Sequence, residues 1–124
     1  MRTLSSKIKT DTPDYQENRK AYDTLLNDFK AKLDVAKAGG GEEAAAKHKA
    51  RGKMTARERV KALLDPGSAF LELSPLAAGG LYDDGAPSAG VVTGIGCVHG
   101  REVLVVANDA TVKGGTYFPM TIKK

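Results

Sequence analysis

Residues 103–124 read Val-Leu-Val-Val-Ala-Asn-Asp-Ala-Thr-Val-Lys-Gly-Gly-Thr-Tyr-Phe-Pro-Met-Thr-Ile-Lys-Lys. Three local patterns follow one another here. Val103–Val106 is apolar on both faces of a strand, which predicts a central position in a sheet. The polar run from Asn108 ends on Lys113-Gly114-Gly115, which predicts a turn. Pro119 then stands at the first position of a helix, and the sequence ends as that pattern begins. The local order is thus a strand, an Asp- and Gly-bearing loop, and the first turn of a helix. The unfinished helix makes the chain read as the front piece of something larger.

Upstream, Arg101–Ala107 and the glycine-laced Gly90–Val98 predict two strands joined by a two-residue turn, His99-Gly100. Phe70–Leu73 predicts a short strand. Pro75–Ser88 has no periodicity, and a loop of that length suggests function or an interface. The first third of the chain is helical. Thr12-Pro13 reads as a cap followed by the first helical residue. Tyr15, Tyr22, Leu25, Leu26, Phe29, Leu33 and Ala36 then mark one apolar stripe up to Ala38, which needs a surface to lie against. Gly39-Gly40-Gly41 predicts a flexible break. Glu42–Ala50 predicts a short helix with acids at its start and bases at its end. Thr55 and Glu58 form a capping box for a third helix with Val60, Leu63 and Leu64 on its apolar side, stopped by Asp65-Pro66-Gly67. The expected division is a helical arm over residues 1–66, broken at Gly39–Gly41, and the start of a domain over residues 67–124.

The chain has 124 residues, 41% hydrophobic and 27% charged, which suits one soluble globular domain at most. Its single cysteine, Cys97, excludes an internal disulfide and favours a reducing compartment. No apolar run approaches membrane-spanning length. The N-terminus has no apolar core of a secretory signal. Its basic and hydroxylated residues resemble a transit peptide, but Asp11 and Asp14 weigh against that, so the cytoplasm is favoured with an organelle left open. The net charge of +4 is concentrated. Lys47, Lys49, Arg51, Lys53, Arg57, Arg59 and Lys61 face one nearby acid, Glu58.

That basic run has three readings: a solvated helical face, an anion site built on arginine forks, or a nucleic-acid contact. No aromatic residue interleaves it, which counts against a stacking platform. Residues 108–115 sit where a strand hands over to a helix. The glycines there let a ligand approach the backbone, and N–H groups at a helix start favour anions; a plain tight turn explains them equally well. The phosphate-loop spacing is missing. No metal spacing or nucleophilic triad is assembled, so no catalytic or metal-ligating residue is assigned.

Two segments together resemble a known family. They are Lys49–Leu73 (Lys-Ala-Arg-Gly-Lys-Met-Thr-Ala-Arg-Glu-Arg-Val-Lys-Ala-Leu-Leu-Asp-Pro-Gly-Ser-Ala-Phe-Leu-Glu-Leu) and Gly94–Tyr117 (Gly-Ile-Gly-Cys-Val-His-Gly-Arg-Glu-Val-Leu-Val-Val-Ala-Asn-Asp-Ala-Thr-Val-Lys-Gly-Gly-Thr-Tyr). Both are similar to the start of the carboxyltransferase (beta) subunit of biotin-dependent acyl-CoA carboxylases. The ending Lys113–Pro119 is closer to the methylcrotonyl-CoA and geranyl-CoA type than to the propionyl-CoA type.

The resemblance implies an α/β, crotonase-like (ClpP/crotonase) fold of repeated ββα units, of which the chain holds a helical arm and the first unit. It implies transfer of a carboxyl group from carboxybiotin to an acyl-CoA through an enolate held in an oxyanion hole. The oxyanion glycines belong to later units, so the fragment alone is expected to be inactive. The implied cofactor is biotin carried by a partner alpha subunit, with acyl-CoA as substrate. Full-length beta subunits are expected to assemble with one another, in the cytoplasm or, in eukaryotes, the mitochondrial matrix. The implied CoA contacts are Asp109, Lys113, Gly114 and Gly115, with Arg51, Lys53 and Arg57 for the CoA phosphates. Two rivals stand beside this reading: a small basic module binding an acidic partner or nucleic acid through residues 47–61, and a decarboxylase of the same superfamily.

Overall fold

The structure, a computed structural model, describes residues 4–124. The described residues up to Ala31 form one compact unit and Lys32–Lys124 a second. Helices α1 (Pro13–Ala38), α2 (Gly41–Ala50) and α3 (Ala56–Leu63) come first. Strands β1 (Leu71–Leu73), β2 (Val91–Val98) and β3 (Arg101–Asn108) follow, and α4 (Pro119–Lys123) comes last.

Local chemistry sets the helix boundaries. The Thr12 hydroxyl accepts the Tyr15 N–H at the start of α1. At α3 the capping box is complete: Glu58 N donates to Thr55 Oγ1, and Thr55 N donates back to Glu58 Oε2 at 2.9 Å. The Lys49 ammonium and the Thr55 N–H pull the Glu58 carboxyl down to about 2. On the first helix Tyr22, Leu25 and Phe29 stay exposed.

The sheet is an antiparallel meander in the order β1-β2-β3. Leu71 pairs with Ile95, and Ile95 with Leu104; Leu73 pairs with Thr93, and Thr93 with Val106. The residues one step out of phase form the inner face. There Val92 and Val105 join Ala56 and Val60 of α3 in a buried cluster, flanked by Leu64, Phe70, Val103 and Ala107. Gly94 and Gly96 explain the glycine-laced strand: a Cβ at Gly94 would strike the Phe70 ring, and one at Gly96 the Leu64 side chain. On the outer face Leu71, Ile95, Leu104 and Val106 are exposed.

Two expectations are corrected. Among the described residues β2 is the strand flanked on both sides, and β3 is flanked by β2 alone. An apolar pattern on both faces reports what a strand is prepared to pack against, not how many strands flank it. Leu63, expected on the apolar side of α3, is exposed; Val60 carries the burial there.

Asp65, just past α3, fastens the hairpin tip. Its carboxylate accepts the N–H groups of His99 (2.7 Å) and Gly100 (2.8 Å) and the Cys97 thiol (3.2 Å). His99 and Gly100 both take positive φ, as a two-residue hairpin turn of this twist requires.

The connection from Ser74 to Gly90 is packed rather than open. Ala78, Ala86, Ala89 and Val112 form a second buried cluster, with Phe118 and Met120 against it. The Tyr82 and Phe118 rings meet at 4.8 Å. Ser74, Ala78, Tyr82, Asp83, Asp84, Ser88 and Ala89 all hold positive φ. Left-handed backbone costs about 1–2 kcal/mol per non-glycine residue, so the packing must hold the loop in place. At its far end Thr121 Oγ1 donates to Ala89 O (2.6 Å), while Lys124 Nζ donates to Ser88 Oγ (2.7 Å) and Val91 O (2.7 Å). Burial lowers the Lys124 ammonium to about 8.

Candidate functional site

The segment from Asp109 to Gly115 leaves the end of β3 and leads to α4. Its hydrogen bonds form a short relay. Asp109 N donates to Gly90 O, Val112 N to Asp109 O (3.1 Å) and Gly115 N to Val112 O (2.8 Å). Val112 is 1% exposed and pins the middle of the loop in the second core cluster. Lys113, Gly114 and Gly115 then hold positive φ in succession. At Gly115 a Cβ would press on Asn108 Nδ2, which donates to Gly115 O.

The seven residues singled out from the sequence fall into different environments. Asp109 is buried and works within the loop: its Oδ1 accepts Thr111 N (3.0 Å) and Thr111 Oγ1 (2.6 Å). Lys113 is exposed, and no carboxylate pairs with it among the described residues. Its stem lies where a side chain on Gly85 would stand. Gly114 and Gly115 turn the backbone beside it. Arg51 and Lys53 are exposed at and after the end of α2, without an ion-pair partner among the described residues. Arg57 is committed elsewhere. Its guanidinium grips Glu72 with two bonds, at 2.6 and 2.7 Å, and reaches Ala36 O. Half buried, such a bidentate pair leaves little donor capacity for a ligand.

Four of the seven bases in the run 47–61 have partners within the fold. Lys47 pairs with Glu43, Lys49 with Glu58 and Arg57 with Glu72, and Arg59 donates to Asn108 O at 2.9 Å. The run is therefore not an uninterrupted strip of free cations of the kind a basic module would present.

The geometry also brings in residues that the sequence reading passed over. Arg59 holds the end of β3 through Asn108 O. Gly40 N donates to Thr111 Oγ1 at 3.0 Å, so the supposedly flexible glycine break is a fitted contact. The Asp109-Ala110-Thr111 sequence carried a usable signal: aspartate accepting from the N–H two residues on is a common turn device. Nothing local marks Gly40 as its neighbour, 71 residues away.

Comparison with known proteins places this geometry. The carboxyl transferase domain family matches residues 47–124. The biotin-dependent 3-methylcrotonyl-coenzyme A carboxylase beta1 subunit of Mycobacterium tuberculosis is 61% identical over 100 residues, covering 81% of this chain and 19% of that protein. The mitochondrial methylcrotonoyl-CoA carboxylase beta chain of Arabidopsis thaliana is 50% identical, covering 89% of this chain and 19% of that protein. Among solved structures, the beta subunit of P. aeruginosa geranyl-CoA carboxylase superposes with a TM-score of 0.80 at 34% identity, over 98% of this chain and 23% of that one. The chain thus spans about a fifth of the length of the curated relatives it matches. Its helices, sheet and closing helix are an α/β, crotonase-like arrangement. With the family match covering most of the chain, and relatives this similar across it, the chain belongs to the carboxyl transferase domain family.

Proposed function

We propose that this chain is part of an acyl-CoA carboxyltransferase of the methylcrotonyl-CoA type, supplying structure and one edge of the CoA site. The whole subunit would move a carboxyl group from carboxybiotin to an acyl-CoA. Biotin would arrive on a partner alpha subunit, and full-length beta subunits would assemble with one another, in the cytoplasm or the mitochondrial matrix of a eukaryote. Residues 1–66 serve as the helical arm and 67–124 as the start of the domain.

The observation that carries the CoA assignment is the Lys113–Gly115 turn. An unpaired ammonium stands beside two glycines in left-handed backbone, where the main chain can approach a ligand closely. Lys113 binds an anionic part of the CoA as a point charge, and Gly114 and Gly115 present backbone without side-chain obstruction. Arg51 and Lys53 are free to meet the CoA phosphates. Arg57, held by Glu72, supports the fold around them, and Asp109 shapes the loop rather than touching CoA.

The test is steady-state kinetics on a full-length carboxyltransferase subunit carrying this sequence. Lys113→Ala and Arg51→Ala are expected to raise KM for the acyl-CoA more than they lower kcat, the mark of lost ground-state binding. Unchanged KM in both would remove them from the CoA site.

A further inference from the structure

The turn between α1 and α2 meets the candidate loop without slack. Gly40 N donates to Thr111 Oγ1 at 3.0 Å, and that hydroxyl donates to Asp109 Oδ1 at 2.6 Å. A Cβ on Gly40 would overlap the Thr111 carbonyl group, and one on Gly39 would run into Asp109 Oδ2. Both Asp109 and Thr111 are buried, so neither can swing into solvent to make room. The constraint also passes along the loop. Thr111 is followed by Val112, held in the second core cluster, and Val112 O receives Gly115 N. Lys113 and Gly114 lie between those two fixed points.

We propose that Gly40 and Thr111 are positioning residues: the α1–α2 turn, seated on Thr111, sets the backbone from Asp109 to Gly115 and thereby the affinity for acyl-CoA. This rests on the reading of Lys113–Gly115 as CoA-binding. Neither residue needs to touch the ligand. Gly40 acts by having no side chain, and Thr111 by a hydroxyl that accepts from Gly40 and donates to Asp109.

The experiment uses a full-length carboxyltransferase subunit carrying this sequence with Gly40→Ala, Thr111→Val, Thr111→Ser or Lys113→Ala. Acyl-CoA kinetics and amide hydrogen exchange over residues 109–116 are read on each. Gly40→Ala and Thr111→Val are expected to raise KM on the order of tenfold, with kcat within about twofold of the parent. Both should speed exchange at Val112 and Gly115. Thr111→Ser keeps the hydroxyl and should restore both readouts. Thr111→Val, which changes only the hydroxyl, carries the test if Gly40→Ala does not fold. An unchanged KM in these two variants, while Lys113→Ala raises it, overturns the positioning role and leaves the CoA loop standing. An unchanged KM in Lys113→Ala overturns the CoA loop itself, and the positioning role with it. Equal loss of kcat and of soluble protein without a KM change, or failure of Thr111→Ser to rescue, reduces both residues to general stability and also overturns the proposal.

Discussion

The two faces of the sheet are built from the same kinds of residue and meet opposite fates. On the inner face Val92 and Val105 are 2% and 7% exposed; on the outer face of the same strands, Ile95 and Leu104 are 40% and 68% exposed. The difference lies in what can approach. Gly94 and Gly96 leave room on the inner face for Phe70 and Leu64 to lie directly on the strand, and α3 closes over them with Ala56 and Val60. Within the described residues the outer row Leu71-Ile95-Leu104 is left exposed, while in the next row Thr93 is buried between the exposed Leu73 and Val106. An apolar pattern thus states what a strand is ready to bury, and the cover decides whether it does.

Several measurements break or sharpen this contrast. The largest effect is expected at the inner face. Val92→Asp places a charge in the best-packed cluster and should abolish cooperative unfolding, a loss of more than about 4 kcal/mol; chemical denaturation followed by circular dichroism reads it, and a retained sharp transition would mean the inner face is not the core. Next comes the helix that lids that face. Thr55→Ala removes the cap of α3 and should cost about 1 kcal/mol, measured as a lower denaturation midpoint with an unchanged slope.

A smaller change should come with pH at Lys124. Its folded value of about 8 lies below the ordinary 10.5, so between those values the unfolded chain binds more protons. Stability should therefore rise as pH climbs from 8 to 10.5, and be lost again as pH falls back through 8. Lys124→Met should flatten that slope in thermal melts taken across the range. The smallest effect on stability is expected on the outer face. Leu104→Lys with Val106→Lys should change unfolding free energy by less than about 0.5 kcal/mol in the same denaturation experiment, and a loss as large as that of Val92→Asp would mean that the outer face is packed after all.

Features dictated by neighbours in sequence were legible. The start of α1 at Pro13, the Thr55–Glu58 box, the His99-Gly100 turn and the strand pair all rest on contacts a few residues apart. Features dictated by distant partners were not. Arg57 read as a candidate for the CoA phosphates because its partner Glu72 lies 15 residues on, across a turn. Residues 75–88 read as a loop without periodicity because left-handed Ala, Tyr, Asp and Ser leave no periodic trace, although Ala86 is among the most buried residues described. The Gly39–Gly41 break read as flexible because glycine signals both freedom and close approach, and only Thr111 in space distinguishes them. The candidate loop was legible through Lys113-Gly114-Gly115, while the inward duty of Asp109 lay in a two-residue pattern that had to be matched with a buried position.

The Asp65 clamp has a consequence for chemistry outside any binding site. The Cys97 thiol donates to the same carboxylate that holds the hairpin, and that bond pushes its ionisation above the ordinary thiol range. Thiolate, not thiol, is what peroxides and alkylating reagents attack. Cys97, of intermediate exposure, is therefore expected to label more slowly with iodoacetamide than an unperturbed cysteine for as long as the hairpin stays fastened.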